Sequence, residues 1–109
     1  MTNYPPGDLV LIQFPYTEGT RVSNRPALVI LDTGNADVVV ARVTTQMYQT
    51  DHDVSITGWQ GSGLLAPSVV RLHKLATLEK GLIRRRLGHL QPADRQRISA
   101  LMQQVYGAW

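Results

Sequence analysis

For its first eighty residues the chain gathers its apolar positions into short runs, each closed by a proline, a glycine or a polar cluster, and this predicts strands. After Gly7-Asp8, residues 9–14 (Leu-Val-Leu-Ile-Gln-Phe) read as a central strand that Pro15 is expected to stop. Residues 15–24 then read as a polar loop, long for a hairpin and of the kind that often carries function. Residues 25–32 and 37–45 are expected to be strands joined by Thr33-Gly34-Asn35-Ala36, whose Gly-Asn pair signals a hairpin. A shorter strand is expected from Asp53 to Thr57, a glycine-rich turn over 58–63, a strand from Ser68 to Leu75, and a last one from Leu82 to Leu90 despite three central arginines. Only after Pro92 does the period change. Ile98, Leu101, Met102, Val105 and Tyr106 fall on one helical stripe, expected to pack on the sheet. Pro92 suits the first helical position, Asp94 the first turn and Gly107 the C-terminal end. The sum is a mainly β domain with a C-terminal helix, its five or six strands forming a small, curled, mainly antiparallel sheet.

Composition narrows this. At 109 residues the chain holds one core, and 43% hydrophobic residues suffice to build it. There is no cysteine, so disulfides and thiolate metal sites are excluded. The opening residues show neither a basic start nor an apolar signal core, and no run of about 20 apolar residues suited to a membrane occurs, so a cytoplasmic protein without membrane contact is expected. Charge is unevenly spread. Residues 1–70 carry −3 and residues 71–97 carry +6, an electrostatic footprint for a polyanion unless it is merely a solvated face.

Two strands carry polar residues that a core strand does not need: Arg25 at the mouth of one and Thr44 at the exit of the next. If these strands pair, a guanidinium and a hydroxyl converge at one sheet end and could grip a phosphodiester. The structural alternatives are an Arg25 ion pair with Asp32 or Glu18, and plain β-propensity for Thr44. Metal chemistry is not suggested, because His52, His73 and His89 lack ligand spacing. Neither a phosphate-binding glycine loop nor a nucleophile elbow is visible. Metal-free RNA chemistry remains, since RNA carries its own nucleophile in the 2′-hydroxyl and needs only a base, an acid and a cation. Arg71 and His73, two residues apart on one strand, are expected to share a face, and His73 is either a proton carrier or a structural rim histidine.

Together these residues resemble the MazF/PemK family of type II toxin–antitoxin ribonucleases. The likeness runs almost end to end: Gly7 to Leu11, Arg25-Pro26-Ala27-Leu28-Val29, Ala41 to Gln46, Gly63-Leu64, Pro67 to Leu72, Thr77-Leu78 and Gly88-His89-Leu90. It implies an SH3-like barrel, a symmetric homodimer, cleavage of single-stranded RNA without metal or cofactor, and neutralisation by a cognate antitoxin whose disordered tail crosses the RNA groove. The family's active-site arginine falls on Arg25 and its threonine on Thr44. In one branch an Arg-x-Asp pair supplies the acid and base; here its arginine falls on Arg71, but His73 stands where the aspartate would. That branch also has a histidine in the first loop, which residues 15–24 lack, so Glu18 and Arg21 are assigned to substrate contact, with Gln46 and Lys74. The dimer interface is expected around residues 57–66. Two alternatives stay open: a CcdB-like gyrase poison acting through the C-terminal aromatics Tyr106 and Trp109, and a catalytically weakened RNA-binding homologue.

Overall fold

The computed structural model describes residues 2–18 and 21–109, with side chains placed outside residues 15–22. The strands are β1 (Asp8–Glu18), β2 (Arg21–Asp32), β3 (Asp37–Thr44), β4 (Asp53–Ile56), β5 (Ser68–Glu79) and β6 (Ile83–His89). A 3-10 turn at Lys80–Leu82 precedes β6, and helix α1 (Pro92–Tyr106) follows it. All pairings among the described residues are antiparallel, in the order β4-β5-β3-β2-β1-β6. This is the mainly β architecture with a C-terminal helix read from the sequence, although the sheet stays open between its edges β4 and β6. Every pairing except β4–β5 carries a register shift, and each such irregularity adds bend and twist.

Three boundaries differ from expectation. Pro15 does not end β1: it falls in the register shift between Phe14 and Thr17, where the ladder does not require its missing N–H. The loop expected over 15–24 is largely strand instead: residues 15–18 belong to β1 and residues 21–24 to β2. β5 runs on to Glu79, since the start of β3 supplies partners: Thr77 opposite Val39 and Glu79 opposite Asp37. The 33–36 hairpin forms as read. Gly34 takes φ +85°, and its N–H donates to Asp32 Oδ1 at 2.8 Å.

The two faces of the sheet differ. One buries Leu9, Leu28, Val43, Ile56, Val70 and Leu72 under α1, which contributes Ile98. The other buries a smaller cluster of Val10, Ile12, Ala27, Val29, Val38 and Val40 under Tyr4, Phe14, Leu82 and Ile83. Of the helical stripe only Ile98 is fully buried; Leu101 and Met102 are half-buried, and the Tyr106 hydroxyl donates to the Leu72 carbonyl.

Asp94 does more than favour the helix N-terminus. Its buried carboxylate accepts the Thr57 N–H at 3.1 Å, the Thr57 hydroxyl at 2.8 Å and the Gly58 N–H at 2.8 Å, and it pairs with Arg97. Burial opposes its ionisation, but the donors from Gly58, Thr57 and Arg97 outweigh that and hold it below the usual carboxylate range. The glycine-rich turn is thus tied to α1. It also lies directly on β6: a Cβ on Gly63, at φ +87°, would stand 2.0 Å from the Leu87 carbonyl oxygen.

Candidate functional site

Alternation along β2 puts Ser23 and Arg25 on the face of Ala27 and Val29, and along β3 it puts Arg42 and Thr44 on the face of Val40. The strands pair with Ala27 opposite Arg42, and the same register carried two residues further sets Arg25 opposite Thr44. One sheet face therefore changes character along its length, from the small apolar cluster to a polar end. Arg42 lies opposite Arg71 of β5, and Arg71 opposite Asp53 of β4, so these residues share that face.

Arg25 lines two adjoining pockets. One, of about 370 Å³, is walled by Phe14, Ser23, Arg25, Arg42, Lys74 and Leu75. The other, of about 330 Å³, includes Asn24, Arg25, Thr44, Thr45 and Ser68. Thr44 Oγ1 accepts the Gln46 N–H at 3.1 Å, which leaves its own O–H to be donated outward. The Gln46 side-chain Oε1 accepts the Tyr48 hydroxyl at 2.9 Å. The ion pair considered for Arg25 with Asp32 does not form: the two stand seven residues apart along the extended β2, and Asp32 pairs with Lys80 at 2.6 Å. The Glu18 and Arg21 side chains lie outside the described residues.

His73 and Lys74 owe their placement to a bulge. Ala41 pairs with Leu75 but Arg42 pairs with Arg71, so Leu72, His73 and Lys74 have no partner on β3. Simple alternation fails there, and a bulge re-aims the side chains it carries. Arg71 turns into the sheet end. Its Nε donates to Asp53 Oδ1 at 2.9 Å, and its guanidinium carbon sits 3.6 Å from the centroid of the Tyr48 ring. Asp53 also accepts the Thr50 N–H and hydroxyl, at 3.0 and 2.6 Å. Burial pushes its carboxyl up, and the Thr50 and Arg71 bonds more than offset this. His73 remains exposed, its ring centroid 5.2 Å from that of His52. Partial desolvation, then Arg71, His52 and Lys74, hold its imidazole below the ordinary histidine range. His73 lines neither pocket, but its chain neighbour Lys74 lines the larger one.

Half of the basic block is neutralised by ion pairs. Of the eight basic residues in 71–97, Arg71, Lys80, Arg86 and Arg97 pair with Asp53, Asp32, Asp8 and Asp94. The cations that face a groove come instead from both halves: Arg25, Arg42 and Lys74, none with an acidic partner among the described residues. Arg42 was missed as a site residue. Its signal was an arginine two positions before Thr44 on a strand otherwise buried. Among the described residues no three carboxylate or imidazole groups gather as a metal cluster, and no helix is long and apolar enough to cross a membrane.

Comparison with known proteins agrees with this architecture. No curated protein matches the chain in sequence. Solved structures share its fold at low identity. An endoribonuclease in complex with its cognate antitoxin, from a mycobacterial species, superposes with a TM-score of 0.75 at 22% identity, covering 95% of each chain. A Mycobacterium tuberculosis MazF toxin gives 0.75 at 20%, over 94% of this chain and 99% of its own. A Deinococcus radiodurans MazF gives 0.72 at 19%, over 98% and 99%. The model of the PemK-like, MazF-like toxins of type II toxin–antitoxin systems matches residues 5–106, and the chain belongs to that family.

Proposed function

We propose that this chain is an endoribonuclease toxin that cleaves single-stranded RNA by attack of the 2′-hydroxyl, without metal or cofactor. The observation that carries the reading is that Arg25 and Thr44 line one pocket, while Arg25 also lines the adjoining one with Arg42 and Lys74. Arg25 forks two phosphate oxygens and Thr44 donates a third hydrogen bond, a donor set suited to a dianionic phosphorane. His73, neutral near pH 7, takes the 2′-hydroxyl proton as the 2′-oxygen–phosphorus bond forms. The phosphorus–5′-oxygen bond breaks, water protonates the leaving oxygen, and a 2′,3′-cyclic phosphate remains. Arg71, held by Asp53 and capped by Tyr48, acts by positioning the bulge and opposing protonation of His73. Gln46, Glu18 and Arg21 belong to the substrate surface in this reading. RNA as substrate places the protein in the cytoplasm, and a cognate antitoxin neutralises it by covering the groove.

The test is digestion of a defined single-stranded RNA in EDTA, with the ends mapped and checked for cyclic phosphate. Arg25→Ala should lose about 10²–10³ in rate, as removal of one preorganised donor does, and Thr44→Ala should lose less. Cleavage abolished by EDTA, or unaffected by Arg25→Ala, refutes the mechanism. The reading includes a homodimer, for which the 96% exposed Leu65, next to the docked turn, is the side chain to cover; a monomer by light scattering at micromolar concentration refutes that part. The gyrase-poison reading draws on the fully exposed Trp109 but leaves the cationic groove unexplained. Gyrase-dependent DNA breakage without RNA cleavage would favour it.

A further inference from the structure

We infer that the 370 Å³ pocket beside Arg25 is a nucleotide subsite, in which Arg42 and Lys74 hold the phosphate next to the scissile one and Phe14 stacks on the intervening base. The inference rests on the RNA reading above and extends it from one phosphate to two. Arg25 with Thr44 already meets the hydrogen-bonding needs of one phosphate. Two further cations, Arg42 and Lys74, line the adjoining pocket, and no acid among the described residues neutralises them. Asp8, Asp32, Asp53 and Asp94 are each committed to another base. Two positive charges beyond the first site call for a second anion. The remaining wall is apolar, made by Phe14 with Leu75 and Ala76. Phe14, the chain's one phenylalanine, packs against the Ile12 and Ala27 cluster yet still lines the pocket. An aromatic wall opposite a cationic one suits a base joined to a phosphate better than a bare polyphosphate, and stacking tolerates any base.

The geometry also explains why both residues are presented. Arg42 lies on β3 where the β5 register breaks, and the unpaired run 72–74 of β5 swings Lys74 to the same opening. β5 resumes its pairing beyond the bulge, with Val70 opposite Val43 and Val69 opposite Thr44, so the three extra residues are accommodated at the pocket alone.

The test uses a tetranucleotide made uncleavable by 2′-deoxy sugars at every position, with binding read by fluorescence anisotropy across a salt series. Arg42→Gln should weaken binding and lower the slope of log affinity against log salt by about 0.7, one single-strand phosphate contact. Phe14→Leu, which keeps an apolar side chain against the core, should weaken binding about 5- to 150-fold with the slope unchanged. In cleavage of long RNA, Arg42→Gln should raise KM more than it lowers kcat. An unchanged salt slope in Arg42→Gln protein that melts like wild type overturns the subsite, as does Phe14→Leu binding with full affinity. Because the probe cannot be cut, the two readings fail separately. Wild-type protein that cleaves nothing but loses slope in Arg42→Gln keeps the subsite and refutes the nuclease. Wild-type protein that cleaves, with the slope unmoved, does the reverse.

Discussion

The Arg71–Asp53 pair should hold the end of β4 and the 45–52 loop in place, and Asp53→Asn is the direct probe. The two groups meet at 2.9 Å with side chains 11% and 1% exposed, so neither is a surface partner that water can replace. Removing one charge from a buried pair costs about 3–5 kcal/mol, because the other is left uncompensated. Asparagine still offers an oxygen to Thr50, which puts the expected loss near the lower end, about 3 kcal/mol. For a domain of this size each kcal/mol moves Tm by about 4–8 °C, so the melting point should fall by about 12–24 °C. Arg71→Met in the same background should restore part of the loss, with a coupling of about 0.5–3 kcal/mol. The folded carboxyl titrates below its unfolded value, so its contribution is full above about pH 3.9 and is lost as pH falls through the folded value. The Asn variant should lack that acid limb. The measurement is thermal unfolding by circular dichroism from pH 2 to 7, with urea titration of the four proteins of the cycle. An Asp53→Asn midpoint within about 2 °C of wild type, or additivity within about 0.3–0.5 kcal/mol, would sink the argument.

His73 should titrate in the rate profile: activity rises with pH, with a midpoint below 6.5 because the surroundings disfavour the imidazolium. His52→Ala should move that midpoint up, His73→Ala should remove it, and His73→Asp should restore activity with a carboxylate's lower midpoint; an unchanged profile in His73→Ala returns His73 to a structural role. Asp94→Ala should cost about 3–5 kcal/mol by urea denaturation, since three hydrogen bonds from Thr57 and Gly58 lose a buried charged acceptor. Gly63→Ala should yield little folded protein, because its Cβ meets backbone rather than a side chain that can move; normal yield and melting would refute the close approach.

Most of the fold was legible because it is written in local pattern. The 33–36 hairpin, the glycine-rich turn and the start of α1 all follow from residue type within a few positions. That Arg25 and Thr44 line one pocket followed from two adjacent strands that must pair. What escaped depended on partners far away in sequence. Pro15 reads as a terminator until β2 shows that the ladder is already out of step there. The 72–74 bulge exists only in the pairing of β5 with β3, so alternation put Arg71 and His73 on one face when only one of them turns inward. Which half of the basic block is neutralised was hidden likewise, because Asp8, Asp32 and Asp53 lie in the other half of the chain. Arg42 was hidden for the converse reason, its neighbours in the groove coming from three strands.

The order of strands also sets when the molecule can exist. β1 meets β2 early in the chain, with Leu9 opposite Leu28, but its other neighbour is β6, with Leu9 opposite Gly88. During synthesis at about 5–20 residues per second the N-terminal half emerges first, with one side of β1 unpaired. Asp8, Asp32 and Asp53 then wait for Arg86, Lys80 and Arg71. A small domain of this kind orders as one cooperative unit, and its non-local pairings form late and slowly. Arg25 and Thr44 are therefore translated well before the framework that aligns them can close. A truncated product lacking β6 would carry the groove's residues without the strand that closes β1.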